Sequence, residues 1–490
     1  MNFRPNLLFI MPDQLRHDFL GCYGADFVST PHIDRLANEG IRYTRAYSQS
    51  PLCVPARAGL LTGRSALGNG VVSNGEWLRP DLDECGIATW PQVLAAAGYD
   101  TASIGKMHFY PWDASLGFRY RSICEDKRWI GIQDDYARRL AQHGLRKRAG
   151  REHPGYLETK GAITSMVPRE LGWDRFVGDE ACRYLRSERQ TDRPFAMMVG
   201  FPGPHCPYDA DAGLLAEIDE TILPDPLPSV PGDLAVWKAR NVAAHRGSWD
   251  GIDFSDTTLA QRRRVRAHYA ALVRGIDDEV GAILRTLEET GELERTIIIF
   301  ASDHGDSLGD HELNGKGTFY ESSTHIPMIV RRPGGRGGET RNELVELTDV
   351  TGTMLAAAGV ERPASMNHTR CLPGLNLREE PRDLIFGCLG NGWMAFDGRW
   401  KWMRPEGDRA LLFDLQTDPN EQHDRSSDPA CAAEARRLDE ALSTWIMVSI
   451  RDGHQDKRIA VSWADDDFSA TVWQGPYPSR FTEYAMGGRV

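Results

Sequence analysis

Four short apolar runs in this chain each stop at polar or charged residues. Asn6–Met11 stops at Asp13 and Gln14, Asp100–Gly105 at Lys106 and His108, Phe195–Phe201 at Pro204 and His205, and Thr296–Ser302 at Asp303 and His304. Apolar runs of this length bounded by turn residues read as buried strands. Helical segments lie between them. Thr30 and Pro31 open a short helix as N-cap and first helical residue, and Gly40 closes it. Thr89 and Gln92 have the spacing of a capping box, with Gly98 as the stop. Leu259–Glu289 is the longest helix, since Val265, Tyr269, Leu272, Ile276, Val280, Ile283 and Leu287 form one apolar stripe. Ile41–Tyr47 is a further β-branched run. Strands alternating with helices imply an α/β fold: a large, mainly parallel sheet sandwiched by helices. In such a sheet the carboxyl ends of the strands share one edge, and ligands bind beyond it.

One aspartate after a strand is most often a helix cap. Four such ends with polar residues can instead converge. Asp13, Gln14, Asp303 and His304 offer mostly oxygen ligands and one imidazole, a set suited to a hard divalent ion such as Ca²⁺, Mg²⁺ or Mn²⁺. Lys106, His108, His205 and Lys316 are cations or donors suited to a tetrahedral oxyanion. Lys316 lies between Gly315 and Gly317, after a short loop that can fold back over the Asp303 strand end. Asp306, Asp310, His311 and His325 are not read as a second metal site. Asn74, Trp77, Tyr110, Trp112 and Tyr208 lie near these loops and are candidates for the walls of a leaving-group pocket.

Cys53 is set apart by its surroundings, Ser50-Pro51-Leu52-Cys53-Val54-Pro55-Ala56-Arg57. Pro55 can start a helix, leaving Cys53 just before its N-terminus, where backbone N–H groups and the dipole favour an anion. Arg57 adds a positive charge one turn on. By itself this describes either a low-pKa thiol or a buried small residue.

After about residue 375 the pattern changes. Trp393–Phe396 and Arg399–Met403 flank Asp397-Gly398, a hairpin signal, with Leu411–Leu415 as a third strand and a helix over Ala432–Ser449. The expected organisation is a catalytic domain over 1–375, a small antiparallel α+β domain over 376–454, and an aromatic-rich arm over 455–490 that packs on its own or a neighbouring subunit in a homo-oligomer. The net charge of −13 argues against a nucleic-acid partner. The basic stretch Arg138–Arg151 reads as a solvated helical face or a subunit contact. No apolar run is long enough for a membrane span. The first strand starts almost at residue 1, and the nine cysteines form neither a zinc pattern nor a disulfide framework, so a cytoplasmic protein with free thiols is expected.

Cys53-Val54-Pro55-Ala56-Arg57 followed by Leu61-Thr62-Gly63-Arg64 resembles the signature of the type I, formylglycine-dependent sulfatases of the alkaline phosphatase superfamily. Asp13-Gln14, Gly105-Lys106-Met107-His108, Pro204-His205, Asp303-His304-Gly305-Asp306, Gly315-Lys316-Gly317 and Leu412-Phe413-Asp414-Leu415 extend the resemblance over most of the chain. Val54 and Ala56 stand where many members have Thr or Ser and Ser. Gln14 and His304 are more similar to the metal set of choline sulfatases and phosphonate monoester hydrolases than to that of many aryl sulfatases. The resemblance implies an alkaline phosphatase-like sheet. It implies conversion of Cys53 to formylglycine by a formylglycine-generating enzyme, and one divalent metal, Ca²⁺ by preference, on Asp13, Gln14, residue 53, Asp303 and His304. In the implied mechanism a gem-diol at residue 53 attacks the sulfur of a small anionic ester. Arg57 and Lys106 hold the diol and the non-bridging oxygens, His205 or Lys316 serves the leaving oxygen, and His108 is the base for the final collapse. The substrate expected is a small alkyl, aryl or sugar sulfate, with a phosphonate monoester or phosphodiester as the alternative.

Overall fold

A computed structural model describes residues 4–454 apart from 80, 230–234, 248–250, 336 and 379. The expected arm over 455–490 lies outside the described residues. The main sheet has eight strands, in the order Glu339–Arg341, Ile41–Tyr43, Met328–Arg331, Thr296–Ala301, Asn6–Asp13, Phe195–Pro204, Asp100–Gly105 and Tyr120–Ile123. Met328–Arg331 is antiparallel to both its neighbours, and the other pairings are parallel. The four apolar runs that stop at Asp13, Lys106, His205 and Asp303 are four adjacent strands in the middle of this sheet.

Alternation along the first strand shows why the sheet is covered on both faces. Leu8 and Ile10 pack into one apolar core with the Leu259–Glu289 helix, while Leu7, Phe9 and Met11 pack into another with the Cys53–Thr62, Trp90–Ala96 and Asp349–Ala357 helices. A parallel strand with both faces buried must be apolar throughout, and all eight residues of Asn6–Asp13 are buried. Gly105 and Gly200 let neighbouring strands close up at their carboxyl ends. A Cβ on Gly105 would lie 2.1 Å from the Gly200 carbonyl oxygen, and one on Gly200 would lie 2.1 Å from that of Lys106. Glycine at both positions permits the approach that carries Lys106 into the site.

Several local expectations hold and several are corrected. The Leu259–Glu289 helix and the Thr89–Gln92 capping box are as expected. The helix after Thr30 spans Pro31–Asn38, but Thr30 makes no side-chain cap. Asp277, from the long helix, accepts from the backbone N–H groups of His32 at 3.0 Å and Ile33 at 2.8 Å instead. The Ile41–Tyr47 run divides into Ile41–Tyr43, in the main sheet, and Ala46–Tyr47, outside it. The stretch Arg138–Arg151 is not one helical face: the helix ends at Gln142, and Lys147 is buried against Asp134 at 2.6 Å.

The C-terminal unit is a four-stranded antiparallel sheet, Ile385–Leu389, Gly392–Phe396, Trp400–Pro405 and Leu411–Asp414, covered by the Ala432–Gly453 helix. The first of these strands was not expected. Pairing of Phe396 with Lys401 puts the central turn residues at Gly398 and Arg399, one later than expected. The cause is local. Asp397 Oδ1 accepts from the N–H groups of Arg399 and Trp400, and Gly398 takes φ of 89°, the conformation for which glycine is favoured. The opposite face of this sheet packs Ile385, Met394, Met403 and Phe413 against Tyr47, Phe319 and Tyr320 of the larger unit. Lys401, fully buried, joins the two units through Glu321 at 2.5 Å and Glu421 at 2.8 Å.

Candidate active site

Cys53 is the first residue of the Cys53–Thr62 helix, which begins two residues before Pro55. Proline is tolerated there because the first-turn N–H groups have no intrahelical partner. The N–H of Val54 donates to Asn74 Oδ1 at 3.1 Å, so a pocket-lining residue caps this end. Asp13, Cys53, Asp303 and His304 are buried, and one ligand atom from each lies within 4.8 Å of the others. His304 Nε2 is 3.3 Å from Cys53 Sγ, and its Nδ1 is 2.9 Å from the Gly305 carbonyl oxygen. With an ion bound, the proton that this carbonyl holds on Nδ1 would leave the Nε2 lone pair for the ion. Gln14 follows at the end of its strand with φ of 70°, and its Oε1 accepts from Lys316 Nζ at 2.5 Å.

Positive charge surrounds this group. Arg57 Nε donates to Asp303 Oδ2 at 3.0 Å, Nη2 to Asp13 Oδ2 at 3.1 Å, and Nη1 to the Lys106 carbonyl at 2.6 Å. Lys106 Nζ is 2.6 Å from both Asp13 and Asp126. Arg57 therefore braces the two carboxylates rather than projecting free donors. Burial raises the Cys53 thiol, but the charges of Lys316, Lys106 and His304 outweigh it and hold the thiol well below its ordinary value. Burial and Cys53 push Asp13 up, and Lys106, His205 and Arg57 more than reverse this. Asp303 is raised by burial and by the charge of Asp13. Two facing buried carboxylates beside a thiolate are the environment that a divalent cation relieves. Atoms that bind one ion at about 2.0–2.6 Å lie within roughly twice that of one another, as these do. The donor set thus fits a metal.

The remaining expected residues come to the same edge. His108, with φ of 57°, has Nε2 3.3 Å from Asp126 Oδ2, and its ring lies against Trp129 and Trp77. His205 is buried, its Nδ1 faces the Cys206 carbonyl, and its Nε2 has no partner among the described residues. Burial, then Lys316 and Arg128, hold His205 down to about 4, so its ring is neutral near pH 7. Lys316 reaches the site because Ser307 N donates to the Gly315 carbonyl and Gly317 N to that of Pro51, folding the loop back. Asp310 belongs to no metal group. It is locked between Arg16 at 2.6 Å and Arg266 at 2.5 Å.

Glu125, Asp126, Arg128 and Trp129 were missed. Glu125 accepts from the N–H groups of Met107 and His108, while Asp126 pairs with Lys106 and Arg128. They follow the edge strand Tyr120–Ile123, a fifth strand end, and the charge run Glu125-Asp126-Lys127-Arg128 was the signal available. Beyond Lys316, Arg128, His205 and Gln14 opens a cavity of about 660 Å³, walled by Tyr208, Trp237, Asn241 and Asn391 among others. Asn74 and Tyr208 line it as expected, whereas Trp77 and Tyr110 line a separate crevice beside His108.

A buried group able to hold a metal, a cysteine at a helix N-terminus and a cation-lined pocket, all on the carboxyl edge of a mainly parallel sheet, are what a hydrolase of anionic esters requires. Known proteins fix which one. The Sulfatase family profile matches residues 5–360. The arylsulfatase of Clostridium perfringens is 30% identical, over 85% of this chain and 89% of its own length. The choline-sulfatase of Rhizobium meliloti is 29% identical, over 87% and 83%. The phosphonate monoester hydrolase SpPMH from Silicibacter pomeroyi has a TM-score of 0.76 at 25% identity, covering 91% of this chain and 96% of that one. The chain belongs to the sulfatase family, and it is a sulfuric ester hydrolase.

Proposed function

We propose that the chain hydrolyses the sulfate monoester of a small, uncharged or anionic alcohol, with residue 53 as formylglycine and one hard divalent ion, calcium by preference. The observation that carries this is the approach of Cys53, Asp13, Asp303 and His304 to within 4.8 Å of one another at a helix N-terminus. Formylglycine supplies an oxygen nucleophile whose ester can be released by elimination, and the ion supplies Lewis acidity at that oxygen. Asp13, Gln14, Asp303 and His304 would hold the ion. Arg57 fixes the two carboxylates, and Lys106, tied to Asp13 and Asp126, presents its charge to the non-bridging oxygens. Lys316 faces the leaving oxygen as the donor. His205, neutral and with a free Nε2, accepts a hydrogen bond more readily than it gives a proton. His108, beside Asp126, is placed to hold the proton taken from residue 53 in the second half of the cycle.

The pocket narrows the alcohol. Among its described lining residues Arg128, Arg240 and Lys316 are cationic and Glu76 alone is acidic, while Asn391 and the NH₂ group of Asn74 offer amide atoms. The three cations oppose a quaternary ammonium group, which only Glu76 and the Tyr208, Trp237 and Phe254 rings would favour, whereas hydroxyl groups or a second anion gain from the cationic wall. A sugar sulfate fits better than choline sulfate. Phosphonate monoester hydrolysis is the alternative, favoured by the likeness to SpPMH and by the pairing of Gln14 with His304. No two of the nine cysteines form a disulfide among the described residues, which supports a reducing, cytoplasmic setting. Turnover of a panel of sugar, aryl and choline sulfates beside a phosphonate monoester tests the reading. A higher kcat/KM for the phosphonate, or for choline sulfate, would overturn it.

A further inference from the structure

Gln14 is gripped at every polar atom. Its N–H donates to Asp303 Oδ1 at 2.9 Å, its carbonyl accepts from the Tyr269 hydroxyl at 2.6 Å, Oε1 accepts from Lys316 Nζ at 2.5 Å, and Nε2 donates to Asp306 Oδ2. The amide cannot turn over in this setting. Lysine only donates and a carboxylate only accepts, so a flip would set NH₂ against NH₃⁺ and C=O against COO⁻. The grip also maintains a φ of 70°, in the left-handed region that a residue with a side chain rarely adopts.

Asp306 is fully buried, and no described lysine, arginine or histidine forms an ion pair with its carboxylate. Its other hydrogen bonds come from the Tyr208 hydroxyl, at 2.8 Å to Oδ2, and the Leu308 N–H, at 3.0 Å to Oδ1. Tyr208 lines the large cavity. A buried carboxylate so placed carries a large desolvation cost for a purely structural contact. The geometry points to Asp306 as a positioning residue: it orients Gln14 so that Oε1, and not Nε2, is presented as an oxygen donor to the divalent ion. It does not bind the ion itself. Oε1 has two lone pairs, one for Lys316 and one for the ion. Through Tyr208 the same carboxylate ties the ligand to the wall of the substrate cavity. This rests on the metal-dependent reading above.

The test is the affinity of the chelator-stripped, full-length protein for Ca²⁺ and Mn²⁺, measured by calorimetric titration, with thermal unfolding in chelator as the control for folding. Asp306→Ala should weaken ion binding by about 10–100-fold, the usual cost of losing a group that orients a ligand. It should leave the chelated protein folded. Gln14→Ala should weaken binding similarly, and the double variant should bind no more weakly than Gln14→Ala alone, because Asp306 acts through that amide. If Asp306→Ala does not fold, Asp306→Ser carries the same test: serine can still accept from Leu308 N–H but is too short to reach Gln14. A folded variant with wild-type affinity, or losses that add in the double variant, would overturn the assignment. A wild-type protein that binds neither ion would instead sink the metal-dependent reading itself.

Discussion

Lys106 Nζ and Asp126 Oδ2 stand 2.6 Å apart, and neither side chain is more than 1% exposed. The pair joins the ends of two neighbouring strands and continues through Lys106 to Asp13, 2.6 Å away on the other side. Burial pushes the Lys106 ammonium down, but Asp126 and Asp13 more than compensate and raise it to a value that keeps it charged throughout the working range. The Lys106 charge is thus set by two carboxylates, one ending the Asn6–Asp13 strand and one following the Tyr120–Ile123 strand.

Removing one partner of a buried pair leaves the other charge uncompensated, at about 3–5 kcal/mol. Asp126→Ala should therefore lower stability by about that amount and depress kcat, because Lys106 would be drawn wholly to Asp13. Thermal unfolding and steady-state kinetics on the same preparation check it. An unchanged melting temperature would show that Asp126 is not the partner that keeps Lys106 charged.

Lys316 carries a different expectation, since its contact is with an uncharged amide. Lys316→Ala should reduce kcat by about 10²–10³, the usual cost of one preorganised donor. The loss should be larger for alkyl sulfates than for activated aryl sulfates, whose leaving oxygens need less help. A leaving-group series reads this directly. Equal losses along the series would mean that Lys316 only binds the anion.

Glu279 gives a pH prediction away from the chemistry. Burial, despite Arg175 and helped by Asp179, pushes its carboxyl from 4.5 up to about 8, and its Oε2 has no hydrogen-bond partner among the described residues. The folded state therefore holds this proton more tightly than the unfolded chain. That contribution to stability is full below about 4.5 and is lost as pH rises through about 8. Glu279→Gln should melt higher than the wild type above about pH 8, with the difference shrinking toward pH 4.5, as thermal melts across that window would show. A difference that does not vary with pH would contradict the assignment.

Conversion of residue 53 should also change the ranking of metals. With the thiolate in place, two carboxylates, an imidazole and sulfur form a set that suits Zn²⁺ or Co²⁺. With oxygen in place of sulfur the set is hard and suits Ca²⁺, Mg²⁺ or Mn²⁺. Competition titrations on protein produced with and without the modifying enzyme should show a smaller preference for Zn²⁺ over Ca²⁺ after conversion. The same preference in both would place residue 53 outside the ligand set.

Much of this was legible because it is local. The strand ends announced themselves through short apolar runs stopping at Asp13, Lys106, His205 and Asp303, and a parallel sheet brings such ends to one edge. What escaped depends on contacts between distant segments. Asp277 caps a helix 245 residues earlier in the chain, which no local pattern reveals. Arg57 looked like a free cation beside Cys53, and only the fold shows that Asp13 and Asp303 occupy it. Asp126 follows a strand, Tyr120–Ile123, that is only partly buried at the sheet edge and so lacks an apolar signature. The Ile385–Leu389 strand is short and contains Gly387, whose missing side chain makes room for the Phe319 ring.

The central claim is that residue 53 acts as formylglycine. Mass spectrometry of the peptide containing residue 53, taken from an active preparation and paired with the turnover of that preparation, tests it most directly. The account predicts that sulfur is replaced by the oxygen of an aldehyde, that activity rises in proportion to the converted fraction, and that Cys53→Ala is folded and inactive. Full turnover from protein in which Cys53 is still a thiol would contradict it.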